Sequence, residues 1–273
     1  MSPVLSSHLY IFCDKSKLLS LDIGRSIPEM CIRDRPSSIV VCDKSEEKCN
    51  QMQAKGCVIA ADAAETVRKC QTVFLAVKPQ NYEEVLSSVR ASVTEDKLFV
   101  SIAAGISTAY VSEKSGCSKV IRVMPNTPLL LGKGATALCR GNCVTEDEFE
   151  QVKTIFAASG IVEVLAEEQM NAVISVNGSS PAYVYLLAKA MVDGAVEQGI
   201  DAQTALRLIA GTLEGSAKML TDSGHTPEEL IKMVSSPGGT TLKALDVLYD
   251  CGFEAALKDA MQACTNRAEE LGR

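Results

Sequence analysis

From Ser37 to Leu165 the sequence alternates short β-branched or apolar runs with amphipathic stretches. Ser38-Ile39-Val40-Val41-Cys42, Val58-Ile59, Thr72-Val73-Phe74-Leu75-Ala76-Val77, Leu98 to Ile102, Lys119 to Met124, Ala135 to Arg140 and Ile161 to Leu165 read as strands. The stretches 44–55, 63–70, 80–92 and 107–115 read as helices, and another opens at the capping box Thr145-Glu146-Asp147-Glu148. A strand with no polar alternation must be buried on both faces. Runs of this kind with helices between them therefore predict βαβ units and a parallel sheet covered on both sides.

Beyond residue 165 the strand signal almost vanishes. Ser179-Ser180-Pro181 opens a helix to about 198, Asp201 caps one to about Asp222, and Thr226-Pro227-Glu228-Glu229 forms a capping box with Pro at N1. Gly239-Thr240-Thr241 starts a fourth helix, and 253–271 is a last one. The division predicted is an atypical segment at 1–36, an α/β domain at 37–165 and a helical domain at 166–273. Two of these helices are apolar around much of their circumference (Leu186, Leu187, Ala190, Met191, Ala195; Ala205, Leu208, Ile209, Leu213). A domain of about 100 residues has little interior in which to hide them. Packing against a second copy resolves this and predicts a dimer; packing against the α/β domain is the alternative.

Charge and composition exclude several function classes. Lys plus Arg number 27 against 34 Asp plus Glu, a net charge of −7, which argues against nucleic acid as a partner. No run approaches the roughly 18 apolar residues of a membrane helix. The start, MSPVLSSHLYIFCDKSK, lacks the basic segment and cleavage pattern of a secretory signal, so a cytoplasmic location is expected. The 11 cysteines are odd in number and scattered, which favours free thiols over a disulfide scaffold or zinc site. With only His8 and His225, most His-based metal and triad chemistries are excluded, and no metal is expected.

Four segments carry chemical information. Phe74-Leu75-Ala76-Val77-Lys78-Pro79-Gln80 ends a strand, where ligands of open α/β sheets bind. Lys78 suits a phosphate or ribose there, although a plain strand-to-helix turn explains the dipeptide equally well. In Arg122-Val123-Met124-Pro125-Asn126-Thr127-Pro128 two prolines fix the backbone around Asn126 and Thr127. Val176-Asn177-Gly178-Ser179-Ser180-Pro181 places small residues before a helix N-terminus, which serves close backbone approach to a ligand or ordinary capping. Ser235-Ser236-Pro237-Gly238-Gly239-Thr240-Thr241 combines a glycine turn, a helix N-terminus and hydroxyls, a cradle suited to a carboxylate; an N-cap after a glycine turn is the alternative, but the density of Gly, Ser and Thr exceeds what capping alone needs.

Taken together in order, FLAVKP, SIAAGI, RVMPNTP, GSSPAY and SSPGGTT make the chain resemble the pyrroline-5-carboxylate reductases over residues 37–273. The resemblance implies a Rossmann-like domain that holds NADPH or NADH, followed by an all-α domain that interleaves with its counterpart in a homodimer, which in the family often assembles into rings of dimers. It implies reduction of 1-pyrroline-5-carboxylate to L-proline. Gly239, Thr240 and Thr241 would hold the substrate carboxylate, Thr241 would be the catalytic hydroxyl near the ring nitrogen, and Glu167 would neighbour the substrate. The alternative for Glu167 is a solvated residue beside Glu168. Ala76, Val77, Lys78, Pro79, Ala103, Ala104, Gly105 and Asn126 would line the cofactor.

The family's opening strand and G-x-G-x-x-G/A phosphate loop have no counterpart in residues 1–36, whose single glycine is Gly24. The abrupt junction near Ser37 reads as a foreign or misread segment joined to a reductase body; a variant with altered cofactor binding and a non-catalytic relative are the alternatives. His8 to Cys13 is the candidate replacement strand, with a short helix at 14–21, which would put Asp14 where phosphate normally sits. At the next strand end Asp43 favours NAD through ribose hydroxyls, whereas Lys44 and Ser45 favour the extra phosphate of NADP. The balance tips to NADP. The competing functional reading is a non-catalytic dimeric scaffold with a defective cofactor site. A dehydrogenase of the β-hydroxyacid type is disfavoured because the helical half offers no clear catalytic Lys.

Overall fold

A computed structural model describes residues 9–13 and 36–272. They form two compact units, one comprising the described residues up to Ser179 together with 263–272, the other Ser180–Gln262. Residues 166–179 and the chain's last turns thus pack with the sheet.

The first unit is built on eight strands: β1 (Leu9–Cys13), β2 (Ile39–Asp43), β3 (Val58–Ile59), β4 (Thr72–Leu75), β5 (Leu98–Ser101), β6 (Lys119–Met124), β7 (Gly134–Arg140) and β8 (Gly160–Val164). Their order is β3-β2-β1-β4-β5-β6-β7-β8. The chain returns to the middle of the sheet after β3, so β1 lies between β2 and β4, parallel to both. The replacement strand expected at His8 to Cys13 is therefore present over Leu9–Cys13, at the sheet's centre. The helix expected at 14–21, and Asp14 with it, lie outside the described residues.

Helices α1 (Glu46–Ala54), α2 (Ala63–Lys69), α3 (Tyr82–Val89), α4 (Thr108–Ser115) and α5 (Glu146–Ala157) connect the strands. Their starts follow local capping chemistry. Asp62 accepts from Glu65 N at 2.6 Å and Ser107 from Tyr110 N at 3.1 Å, and Thr145 and Glu148 cap each other reciprocally. Alternation along β4 sends Val73 and Leu75 into one buried cluster, with Tyr82, Leu86, Phe99 and Val120, and Phe74 into another, with Val100, Ile121, Leu138 and Phe156. β4, β5 and β6 are buried on both faces, as their unbroken apolar runs require, whereas β8 is a largely exposed edge with Ile161 and Val164 at least half exposed, which corrects the expectation of burial on both faces there.

The sheet is not wholly parallel. β7 runs antiparallel to β6 and parallel to β8. The short connection through Thr127–Leu131 and the turn at Gly132 (φ +68°) is a hairpin-type return, too short for a helical crossover.

The second unit contains α6 (Ser180–Glu197), α7 (Ala202–Asp222), α8 (Pro227–Met233), α9 (Thr240–Asp250) and the start of α10 (Phe253–Leu271). Asp201 caps α7 by accepting from Thr204 N at 2.9 Å, and Thr226 forms a capping box at α8. Tyr185, Leu186, Leu208 and Val247 are each more than half exposed in the single chain. No described helix is long and apolar enough to cross a membrane.

Candidate active site

The carboxyl ends of β2, β4, β5 and β6 collect every residue expected to line a cofactor. Lys44 and Ser45 follow β2, Ala76 to Pro79 follow β4, Ala103 to Gly105 follow β5, and Asn126 follows β6. The parallel pairing of β2, β1, β4, β5 and β6 puts these ends at one sheet edge, and the reversal of strand order at β1 makes it a topological switch point. Ala76, Val77 and Ala103 are buried among core residues, so a ligand there would meet their backbone rather than their side chains. Lys78 and Pro79 lead into a 3-10 turn before α3, both half-buried. Lys44 Nζ is 3.7 Å from Glu84 Oε1 with both side chains mostly exposed, a pairing that water screens. Ser45 is the N-cap of α1, with no side-chain capping bond.

Gly105 has φ +82°, and a Cβ there would collide with Ala268 O and sit 3.0 Å from Leu271 Cβ. Its glycine is required by the end of α10, which packs directly on the β5–α4 loop.

Asn126 is buried and accepts from Ala135 N at 2.9 Å. Asn177 approaches the same point from the other side, donating Nδ2 to Met124 O at 2.7 Å and Ala135 O at 2.8 Å. Pro125 interrupts the β6–β7 ladder, and these two amides satisfy the backbone groups left over. The segment expected to precede a helix N-terminus is itself helical: Ile174–Gly178 form a π-helical turn that runs into α6, with Ser179 N bonded to Ile174 O at 2.7 Å. That turn aims Asn177 at the sheet, and a Cβ at Gly178 would lie 3.2 Å from Met124 Sδ. Both readings of 176–181, ordinary capping above all and close approach to a ligand, place the segment before a helix N-terminus, whereas Ile174–Gly178 are already helical.

Glu167 is drawn into a buried polar group. Its Oε1 accepts from Arg122 Nη1 at 3.0 Å and Thr108 N at 3.3 Å, and its Oε2 from Cys139 Sγ at 3.4 Å. Arg122 is 2% exposed and also donates Nη2 to Asn171 Oδ1 at 2.5 Å. Burial first, and then the Glu167 charge, push the Cys139 thiol up to about 12, so it stays protonated. Tyr82, fully buried, donates to Leu75 O at 2.8 Å and shares a hydrogen bond with Ser101 Oγ at 3.0 Å. Sequence reasoning missed Arg122, Asn171 and Cys139. A weak signal existed for Arg122, because Ile121 and Val123 face one way in Lys119–Met124 and leave Arg122 on the other apolar face.

In the helical unit, Gly238 (φ +72°) turns the chain and Gly239 is the N-cap of α9, with no side chain capping the helix. A Cβ on Gly239 would stand 2.7 Å from Ser236 Oγ, which can rotate away, and 3.0 Å from Ser236 O, so the turn is tight around this position. The first-turn N–H groups of Thr240 and Thr241 have no partner within the helix, and their hydroxyls stand beside them. Negative charge suits this dipole end. Among the described residues no cluster of His, Cys, Asp and Glu is arranged to hold a metal ion.

Residues 167–271 match the family model for pyrroline-5-carboxylate reductase dimerisation, and 20–105 match that for NADP oxidoreductase, coenzyme F420-dependent. The chain is 38% identical to the pyrroline-5-carboxylate reductase of Corynebacterium melassecola over 243 residues, covering 87% of this chain and 90% of that one. It is 39% identical over 240 residues to that of Escherichia coli K12, covering 87% and 89%. The crystal structure of Plasmodium falciparum pyrroline carboxylate reductase with NADP bound superposes with a TM-score of 0.88 at 25% identity, covering 98% of this chain and 99% of that one. A pyrroline-5-carboxylate reductase from Coxiella burnetii gives 0.85 at 29% identity with the same coverage. A Rossmann-like sheet with a strand from the atypical start in its interior, a helical unit after it and this level of identity across most of the chain lead to one conclusion: the chain belongs to the pyrroline-5-carboxylate reductase family.

Proposed function

We propose that the chain reduces 1-pyrroline-5-carboxylate to L-proline with a nicotinamide cofactor, NADPH in preference to NADH. The observation that carries the reading is the uncapped N-terminus of α9 behind Gly238-Gly239, a cradle shaped for a small carboxylate. The Thr240 and Thr241 N–H groups hold the substrate carboxylate, and the Thr241 hydroxyl orients the ring nitrogen and assists its protonation. The bound nicotinamide supplies the hydride that reduces the imine carbon. No strong base is required, which accords with two histidines in the whole chain; the rate enhancement comes from placement and electrostatics.

The strand ends after β2, β4, β5 and β6 fit a dinucleotide because their buried small residues present backbone, while Lys44 and Ser45 offer a cation and a hydroxyl to a ribose phosphate. Lys78, Pro79, Ala104, Gly105 and Asn126 complete this lining. A role for Glu167 beside the substrate is carried by the family resemblance alone; its carboxylate is paired with Arg122. The central position of Leu9–Cys13 supports a working sheet over the scaffold reading. The domain limits at 36/37 and 165/166 stand here as a functional division, cofactor half and substrate half. The exposed apolar side chains of α6, α7 and α9 support a homodimer through the helical unit, and sedimentation would separate a dimer from a ring of dimers. A cytoplasmic location accords with the free thiols among the described cysteines.

The test is oxidation of NADPH and of NADH by the purified chain, with and without 1-pyrroline-5-carboxylate. Turnover that depends on the imine and is faster with NADPH is the expected result. A folded dimer with no substrate-dependent turnover would instead favour the scaffold.

A further inference from the structure

The last residue of β2, Asp43, is level with the last residue of β1: Cys13 and Asp43 are register partners. This is the position from which a dinucleotide fold offers an acid to the adenosine ribose hydroxyls. An open carboxylate there favours NAD and repels a 2′-phosphate. Here the carboxylate is not open. Oδ1 accepts from Ser45 N at 2.8 Å, Oδ2 lies 3.5 Å from Lys48 Nζ, and the Asp43 side chain is 3% exposed. Lys48, one turn into α1, is itself only 15% exposed, so water screens the pair weakly. Lys44 immediately after it is 58% exposed. At this strand end Lys44, 3.7 Å from Glu84, is the exposed cation next to an acid that is neutralised from within, and the exposed acids Glu46 and Glu47 lie in the first turn of α1.

The geometry points to Lys48 as a positioning residue for cofactor choice: by holding Asp43 inward it removes the acid that would select NAD and leaves Lys44 and Ser45 to meet a 2′-phosphate. The inference rests on the cofactor reading above and deepens it. Lys48 acts through Asp43 and is not assigned a contact with the cofactor. Replacing it with an uncharged side chain of similar length leaves a buried carboxylate without its cation, and the stable response is for Asp43 to turn outward, towards the ribose.

Calorimetric titration of the full chain with 2′,5′-ADP and with 5′-AMP, the adenosine halves with and without the extra phosphate, tests this apart from turnover. The wild type is expected to favour 2′,5′-ADP. Lys48→Met should lower the ratio of the two affinities roughly tenfold, the scale of one charge-assisted hydrogen bond gained or lost. Lys48→Arg should keep the wild-type ratio, and Lys48→Met with Asp43→Asn should restore it, since no acid remains to be unmasked. Asp43→Asn alone should leave the ratio unchanged, and this holds the test open if Lys48→Met fails to fold. An unchanged ratio in folded Lys48→Met, or a double variant as poor as the single one, would overturn the inference. The second outcome would mean that Lys48 meets the phosphate itself. A wild type that binds neither fragment would instead remove the cofactor reading, and this inference with it.

Discussion

Arg122 Nη1 and Glu167 Oε1 lie 3.0 Å apart, tying a strand of the sheet to the segment that follows β8. The arginine is buried, while the Glu167 side chain is 33% exposed. Removing the carboxylate charge leaves an uncompensated guanidinium in the core, which costs about 3–5 kcal/mol for a fully buried pair. Partial access of water to Glu167 reduces this to about 2 kcal/mol for Glu167→Gln, read as a lower urea midpoint. Adding Arg122→Met should recover much of the loss. If Glu167 also touches substrate, KM for the imine will rise in Glu167→Gln well below its unfolding temperature.

Thr241 tests the chemistry. Thr241→Ala should lower kcat roughly 100-fold, the scale of one positioned proton donor, with the melting temperature unchanged because the side chain is half-exposed. Thr241→Ser should keep most of the activity. Steady-state kinetics at saturating cofactor would distinguish them, and equal loss in both variants would argue for packing rather than the hydroxyl.

Asn177 has a structural task. Its Nδ2 is the donor to both Met124 O and Ala135 O, so Asn177→Leu abandons two buried acceptors at about 1–3 kcal/mol each. A loss of about 2–6 kcal/mol in chemical denaturation is expected. Asn177→Asp should be no better, because a carboxylate cannot donate to either carbonyl.

Burial holds the thiols of Cys117 and Cys139 protonated, pushed up to about 11 and about 12 from an ordinary 9.0. The folded state therefore binds more protons than the unfolded one above pH 9, so stability is complete below that pH and falls as pH rises towards 11 and 12. Urea midpoints at pH 7.5, 9 and 10.5 should decline, and Cys117→Ala with Cys139→Ala should make that decline shallower, leaving the part due to Cys42, also pushed up to about 11 by burial. In the native protein exposed Cys143 should react with a thiol reagent long before either of them.

Local signals made most elements legible. Lys119–Met124 as a strand, Asp201 and Thr226 as caps and the uncapped start at Gly239 all depend on residues within a turn of one another. The gathering of Lys44, Lys78 and Asn126 at one edge followed from βαβ logic, whereas Gly105 was implied only by the family resemblance. The partners of Arg122 and Asn177 were hidden because they lie 45 and 53 residues away, a separation no periodicity records. The direction of β7 was missed for a related reason: a parallel crossover and an antiparallel return share the same apolar strand pattern, and only the length of the connection tells them apart. The wide turn at Ile174–Gly178 was not legible because small residues before Ser180-Pro181 suit an ordinary N-cap as well as a helical turn.

The last turns of α10 return to the sheet unit, where Ala268 is buried with Met124, Ala137, Met170 and Ile174, and where Gly105 and Gly272 meet backbone to backbone. The cofactor half is consequently not an exchangeable module. A fragment ending at Ser179 would lack part of its own core and would bare an apolar strip prone to self-association. Recombination between relatives would have to carry the final ten or so residues along with the sheet they close, so the two ends of the gene are bound to evolve as a pair.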